Sequence, residues 1–281
     1  MALQPTPDEL ISWTRENPYD RFEDGRPRVP GELLARLRAV TTEQAWRVLK
    51  DHGYAFQFEG NWKETHPGQV VVGRAVTAAF LPLRPDYHQA VQHDGLAEGR
   101  GASGKQNSWV IDLLGPDDVM VVDIFGKVRD GTVVGDNLAT AVATRTGAGA
   151  VIDGGIRDYQ GISELPGVNF FMRGIDPTAI ADVTLTSVNR PVRIGQATVL
   201  PGDAVLATPT GIIFIPPHLV AAVVAFGEET AARDVFGKRR LHEGRYTSGQ
   251  IDVSVWSAEI EADYQAWRAS PDARLADRAA R

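Results

Sequence analysis

Three observations predict an α/β fold for this chain. Apolar, β-branched runs at 70–80, 119–125, 151–152 and 168–171 read as buried strands. A small-residue helix over 135–146 stands between the second and third of them. Glycine and proline mark the joins, so strand, helix, strand, short helix, strand follow one another as βαβ units do.

Taken in order, the first sixty residues read as helical and peripheral. Pro30-Gly31-Glu32-Leu33-Leu34-Ala35-Arg36-Leu37 has a helix start and an apolar stripe. Thr41 to Leu49 gives a second helix, capped by its threonines. Val70 to Phe80 is bounded by Pro67-Gly68 and Pro82 and predicts a strand. Residues 86–108 are polar and glycine-rich without a clear period, which predicts a long loop, and such loops are commonly functional. Val119 to Phe125 is a buried strand, Gly135 to Thr146 a close-packed helix, and Val151-Ile152 and Val168 to Phe171 two more strands. After Pro191 come short strands at 196–200, 204–207 and 211–215, the first two separated by Pro201-Gly202-Asp203. His218 to Phe236 predicts a long helix. The tail, with Trp256, Tyr264 and Trp267 among turns, predicts an irregular extension that packs on the body or on a neighbouring subunit.

Composition narrows the function. With 281 residues, 43% hydrophobic and 23% charged, the chain has enough apolar material for one large α/β domain. A net charge of -7 gives no basic footprint, and Lys238-Arg239-Arg240 is short and flanked by acids, so no nucleic-acid partner is expected. The absence of cysteine excludes disulfides, zinc-thiolate sites and cysteine nucleophiles. The first residues carry acids and an early proline rather than a basic segment before an apolar core, and the apolar runs are too short for a bilayer. A cytoplasmic protein without a membrane partner is the expectation.

Two loops carry candidate chemistry. Val134-Gly135-Asp136-Asn137-Leu138 opens a helix, where backbone N–H groups and the helix dipole suit an anion; Asp136 is equally suited to capping that helix. In Gly154-Gly155-Ile156-Arg157-Asp158, a strand delivers an adjacent cation and anion, and the two glycines are expected to clear room for a substrate. Arginine matches a planar carboxylate with two parallel hydrogen bonds, and aspartate suits a hard divalent cation. Spacing alone leaves a second account equally open, in which Arg157 and Asp158 brace two helices.

The stretch GDNLATAVATRTGAGAVIDGGIRD resembles the signature of the family named for the regulator of ribonuclease E activity A, which includes divalent-metal 4-hydroxy-4-methyl-2-oxoglutarate aldolases. Val199 to Val205, with its Pro-Gly-Asp, Gly211 to Pro216, and the opening VVGRAVTAAF are similar to further family strands; the resemblance runs from about Thr41 to Gly244. It implies a swivelling β/α/β domain over 41–244, between a helical N-terminal extension (1–40) and an irregular C-terminal one (245–281). It also implies a homotrimer or homohexamer with active sites between subunits. Asp158 then resembles the direct ligand of Mg2+ or Mn2+, and Asp136 the acid that holds the metal's waters. Arg157 resembles the residue that binds the pyruvate-like part and its enolate, while Gly135, Asn137 and Leu138 resemble the carboxylate cradle. Glu228 or Glu229 from a neighbouring subunit would complete the water shell.

The implied activity is retro-aldol cleavage of a hydroxylated 2-oxo acid or related sugar acid, with oxaloacetate decarboxylation as a side reaction. A hydro-lyase acting on a sugar acid, or a non-catalytic protein that regulates a ribonuclease, is the alternative. The chain departs from the family in two places. Ala207-Thr208-Pro209-Thr210 stands where an aspartate is common, and the stretch with His88, His93, Lys105, Gln106 and Asn107 is longer than in compact members. That stretch is expected to line the pocket, with Lys105 on a distal carboxylate, or else simply to be solvated. The six histidines form no HExxH pattern, and no G-x-G-x-G loop joins a strand to a helix, so neither a zinc site nor methyl transfer is expected.

Overall fold

A computed structural model describes residues 3–101 and 105–271. Helices α1 (Pro7–Trp13), α2 (Gly31–Leu37) and α3 (Thr42–Asp51) precede two short strands, β1 (Phe58–Glu59) and β2 (Lys63–Glu64). The long β3 (Val71–Pro82) leads into α4 (Pro85–Ala97) and α5 (Gln106–Ile111). Then come β4 (Asp118–Asp123), β5 (Thr132–Val134), α6 (Asp136–Thr146), β6 (Gly149–Ile156), α7 (Tyr159–Ser163) and β7 (Asn169–Ile175). Strands β8 (Val183–Val188), β9 (Val192–Ile194), β10 (Ala197–Val199), β11 (Ala204–Thr208) and β12 (Gly211–Ile215) follow. The chain continues through α8 (Val220–His242), α9 (Ser248–Ile251) and α10 (Ala258–Arg268).

A mixed ten-stranded sheet runs β1-β12-β11-β3-β4-β6-β7-β2, with β8 added to β3 and β5 added to β6; β9 and β10 form a separate hairpin. Strands β3, β4, β6 and β7 run parallel, each to its neighbour; the β4–β6 and β6–β7 crossovers carry the helices that the sequence predicts. Their runs are apolar without alternation because both faces are covered. On β4, Met120 and Val122 enter one core while Val119 and Val121 enter another. Full burial of each such side chain stabilises the fold by roughly 1.5–3 kcal/mol relative to exposure. A third core forms where α2, α3 and α8 pack Leu37, Leu49 and Val223 on Leu206 and Ile213. The predicted cap of α3 is present: the Gln44 N–H donates to Thr41 Oγ1 at 3.2 Å, and the Thr41 N–H donates to Gln44 Oε1 at 3.0 Å. Among the described residues, no helix is long and apolar enough to cross a membrane.

Three expectations need correction. Residues 86–108 form mainly helix, not a loop: Pro85 starts α4, and α5 takes up the end of the stretch, with 102–104 outside the described residues. The only buried positions of α4 are Val91 and Gly95, the latter lying on the Trp109 ring, so its inward face is too small to register as a period. The C-terminal extension is helical rather than irregular. Ile260, Tyr264 and Trp267 lie one above another on α10 and close an aromatic core with Phe236 of α8 and Trp256; residues 272–281 lie outside the described residues. Phe236 and Tyr264 meet edge-on at 5.4 Å, and the Arg233 guanidinium lies 3.8 Å over Trp256.

The third correction concerns the paired glycines. They belong to β6, and the space a side chain would need there is filled by the protein rather than left for a ligand. A Cβ on Gly154 would overlap Ile124 Cγ2 and stand 2.9 Å from the Lys127 carbonyl oxygen; one on Gly155 would stand 2.7 Å from that of Val128. Here β6 leaves β4, which it pairs as far as Asp153, and takes β5 as its neighbour at Gly155 and Ile156. Gly154→Ala is therefore expected to destabilise the fold by about 1–3 kcal/mol through overpacking. Urea unfolding measures this, and a change below about 0.5 kcal/mol would mean that the crossing has slack.

The Pro201-Gly202-Asp203 turn docks on β3, where the Ala75 N–H donates to the Asp203 carbonyl and the Gly202 N–H to that of Ala75. Burial pushes the Asp203 carboxyl up to about 7, against the opposing effect of the Leu200 N–H that donates to it at 2.8 Å. Unfolded, this group ionises near pH ~4. The folded state therefore binds the extra proton between about pH 4 and 7, and its stability falls as pH rises through that window. Asp203→Asn is expected to remove this fall. Melting temperature against pH for both proteins tests it, and parallel curves would refute it.

Candidate functional site

The two loops that the sequence singles out meet at the carboxyl ends of β5 and β6. Val134 pairs with Ile156 in parallel register, and the Arg157 N–H donates to the Val134 carbonyl at 3.0 Å. One residue beyond each strand, Gly135 therefore faces Arg157 and Asp158. A Cβ on Gly135 would overlap Asp158 Oδ2 and stand 3.0 Å from Arg157 Nε, so the bare glycine is what allows the two side chains to lie there. Gly135 has φ -110, open to any residue, so space and not backbone conformation requires glycine.

Arg157 Nη1 and Asp158 Oδ2 are 3.6 Å apart, and both side chains are about half exposed. Asp158 itself has φ +53, in the left-handed region, and precedes α7. Asp136 occupies the first position of α6; Gly135, not Asp136, is the capping residue. The Asp136 carboxylate instead accepts the Asn137 N–H at 2.8 Å and lies against Gly161 of α7, 3.4 Å from where that residue's Cβ would be. Both aspartates thus lie at α7, Asp158 immediately before its first residue and Asp136 against Gly161.

Gly135, Leu138 and Arg157 line a cleft of about 210 Å³, closed on its other side by Lys105, Asn107 and Ile180. Lys105 is at the cleft, yet its ammonium is engaged: Nζ donates to the Ile180 carbonyl at 2.9 Å. Asn107, 4% exposed, donates from Nδ2 to the Val133 carbonyl at 2.6 Å. Sequence reasoning missed the 178–182 segment as a wall. It is fixed through its backbone carbonyls, which Lys105 and Lys127 hold, and such contacts leave no signature in its own sequence. His93 points outward beside Asp94, whereas His88 turns inward and meets Thr184 Oγ1 at 2.9 Å.

Glu228 and Glu229, both on α8, are engaged elsewhere within this chain. Arg36 holds Glu228 through two 2.8 Å contacts. Glu229 accepts the Tyr264 hydroxyl at 3.1 Å, and burial together with that carboxylate pushes the Tyr264 phenol up to about 12. A roomier cavity of about 510 Å³, bounded by Trp13, Tyr54, Asp203 and His218, contains none of the residues of the two loops. Among the described residues, no three acidic or histidine side chains gather as a ready-made metal cage. Aspartate oxygens such as those of Asp136 and Asp158 are of the chemical kind that Mg2+ or Mn2+ takes, since such ions keep several waters and use one or two carboxylates.

The RraA-like family (Aldolase/RraA) matches residues 42–214. A Thermus thermophilus protein named 4-hydroxy-4-methyl-2-oxoglutarate aldolase is 29% identical over 107 residues, or 38% of this chain and 64% of that protein. A Halalkalibacterium halodurans relative, provisionally assigned the same activity, is 28% identical over 130 residues, or 46% of this chain and 60% of its own. The chain thus spans less than two thirds of the length of these curated relatives. Among solved structures, Streptomyces coelicolor RraAS2, described as an unusual member of the RNase ES inhibitor RraA protein family, superposes with a TM-score of 0.63 at 24% identity. That match covers 79% of this chain and 99% of that one and concerns the fold alone. The family match runs from α3 into β12 and encloses both the Gly135 loop and the Arg157–Asp158 loop: the chain belongs to the RraA-like family.

Proposed function

We propose that this chain is a divalent-metal-dependent lyase that cleaves a C–C bond of a hydroxylated 2-oxo acid, releasing pyruvate or a similar 2-oxo acid. The observation that carries this reading is the side-by-side Arg157 and Asp158, lying where a side chain on Gly135 would displace them. An ion pair this exposed contributes only about 0–1 kcal/mol, while a left-handed non-glycine residue costs on the order of 1 kcal/mol. Stability therefore gives little reason to keep the arrangement, and ligand binding gives a good one. A purely protein-binding regulator would have no chemical need for it.

In this reading the substrate's 2-oxo acid end sits at Arg157, whose planar guanidinium donates two parallel hydrogen bonds to the carboxylate or to the developing enolate. Asp158 and Asp136 would hold the magnesium or manganese ion, which supplies Lewis-acid polarisation of the 2-oxo group. The Asn137 N–H, turned toward Asp136 in the free protein, is available to an anion that competes for it. The C3–C4 bond breaks as the C4 hydroxyl gives up its proton and becomes the carbonyl of the departing fragment. The electron pair remains on the pyruvate part as an enolate, which takes a proton at C3. Oxaloacetate loses carbon dioxide through the same enolate and is an expected side substrate. Assembly as a trimer or hexamer, with Glu228 or Glu229 reaching a neighbour's site, belongs to the same proposal.

Pyruvate release from 4-hydroxy-4-methyl-2-oxoglutarate and from oxaloacetate is expected with magnesium or manganese and is expected to stop on chelation. Asp158→Ala should lower kcat/KM by about 10²–10³-fold; full metal-dependent turnover in that variant would defeat the assignment. Gly135→Ala displaces Arg157 and Asp158 by a fraction of an ångström or more, and should cost about 10²-fold in kcat with an unchanged melting temperature. An equally active Gly135→Ala enzyme would show that the close approach is incidental.

A further inference from the structure

The roomier cavity at Trp13 and Tyr54 holds chemistry that the proposed reaction does not use. Its volume of about 510 Å³ lies within the ~300–1,000 Å³ usual for small-molecule sites. It opens where the end of α1 and the loop after it meet Tyr54, the 198–203 segment and the 216–218 segment.

The buried polar groups of this cavity are acceptors. Asp203 lines it and is only 2% exposed. Its Oδ2 accepts the Leu200 N–H at 2.8 Å. The second oxygen, Oδ1, accepts nothing from the described residues and is not sealed off from the cavity. No arginine, lysine or histidine among the described residues pairs with this carboxyl. Gln57, 9% exposed, lines the same cavity. Its Nε2 donates to the Thr198 carbonyl at 3.1 Å and to that of Phe214 at 3.0 Å. Both amide hydrogens are thereby committed, and Oε1 is left as an acceptor without a partner among the described residues.

Around these oxygens the walls are apolar, formed by the rings of Trp13 and Tyr54 and by the buried Pro216 and Pro217. The Tyr54 hydroxyl lies 3.3 Å from His218 Nε2, which in turn lies 3.0 Å from Glu16 Oε2. Arg15 and Glu16 at the rim are exposed and of opposite sign, so water screens them and neither sets the charge of an occupant.

Asp203 does set it. Burial strips water from this carboxylate and the protein supplies no cation in return, so its ionised form is disfavoured. The desolvation is already part of the folded state, and a cation entering the cavity gains attraction without adding to it on the protein side. An ammonium group carries donors and no acceptor, which complements Asp203 Oδ1 and Gln57 Oε1. Aromatic faces attract it as well. A carboxylate would instead meet like charge, and a hydroxyl would leave the charge of Asp203 unanswered.

We infer that this cavity binds a small organic ammonium compound, its nitrogen held by Asp203 and Gln57 and its apolar body lying against Trp13, Tyr54 and the two prolines. No residue of the Gly135 or Arg157 loop lines the cavity, so this site stands independently of the lyase reading.

Calorimetry with benzylamine tests it, at about pH 8, above the range in which Asp203 takes up its proton. Benzyl alcohol and benzoate are the controls, similar in shape but neutral and negative. The benzylammonium ion is expected to bind with a Kd below about 1 mM and at least about tenfold more tightly than either control. Asp203→Asn retains an acceptor for the Leu200 N–H and removes the charge. It should weaken benzylammonium binding by at least about tenfold and leave benzyl alcohol unaffected. Thr198→Trp fills the cavity from an exposed position on β10 and should abolish binding; it carries the test if the Asp203 variant does not fold. Equal affinity for either control, binding that survives either substitution undiminished, or no binding of benzylammonium to the unmodified protein overturns the inference.

Discussion

The candidate site depends on one exchange of partners within the sheet. Strand β6 pairs with β4 from Gly149 to Asp153, then passes through Gly154-Gly155 and continues against β5. Only glycine fits that crossing, because Ile124 and the carbonyls of Lys127 and Val128 occupy the positions of the missing side chains. The crossing sets Val134 opposite Ile156, and the next residue on each side lines the cleft: Gly135 from one strand, Arg157 from the other. A register slip of one residue would turn Arg157 away from the cleft, since successive strand residues face opposite sides.

Stability and chemistry are located in different parts of the molecule. Apolar burial on both faces of β4 and β6, and the helices α2, α3 and α8 on the other end of the sheet, give the fold its strength. The aromatic core around Phe236 ties α10 to α8 far along the chain from either loop. The Arg157–Asp158 pair adds little to that strength because water screens it. Its neighbours are a left-handed aspartate and a glycine under close contact, both of which cost stability. Rigid surroundings hold this unfavourable arrangement in place, as precise positioning of reactive groups requires.

The far wall of the cleft follows the same logic by different means. Residues 178–182 belong to neither a helix nor a strand, yet two lysines clamp their carbonyls and the Thr178 side chain is bonded to Asp176. A loop held this way presents a fixed edge to whatever lies between it and Arg157. Residues of α4 and α5, among them His88, Gln92 and Gln106, line a neighbouring cleft together with Ile180, Ala181 and Asp182 of that edge.

The sequence by itself determined the parallel strands, the helix between them and the two loops at their ends, because apolar runs broken by glycine have few other uses. It also singled out the candidate site's charged pair, since an adjacent Arg157 and Asp158 after a buried strand is a local fact. Local pattern misled where burial is sparse. Helix α4 has only Val91 and Gly95 inside, and the Ile260, Tyr264 and Trp267 period was hidden by turn residues before it. Tertiary structure alone decided what the glycines do: those of β6 admit their own chain, while Gly135 admits Arg157 and Asp158. It alone also committed Lys105 to the Ile180 carbonyl and the Asn107 amide to that of Val133. Both outcomes depend on backbone carbonyls brought in from other parts of the chain. A carbonyl is the same at every residue, so no sequence pattern marks which one a side chain will meet.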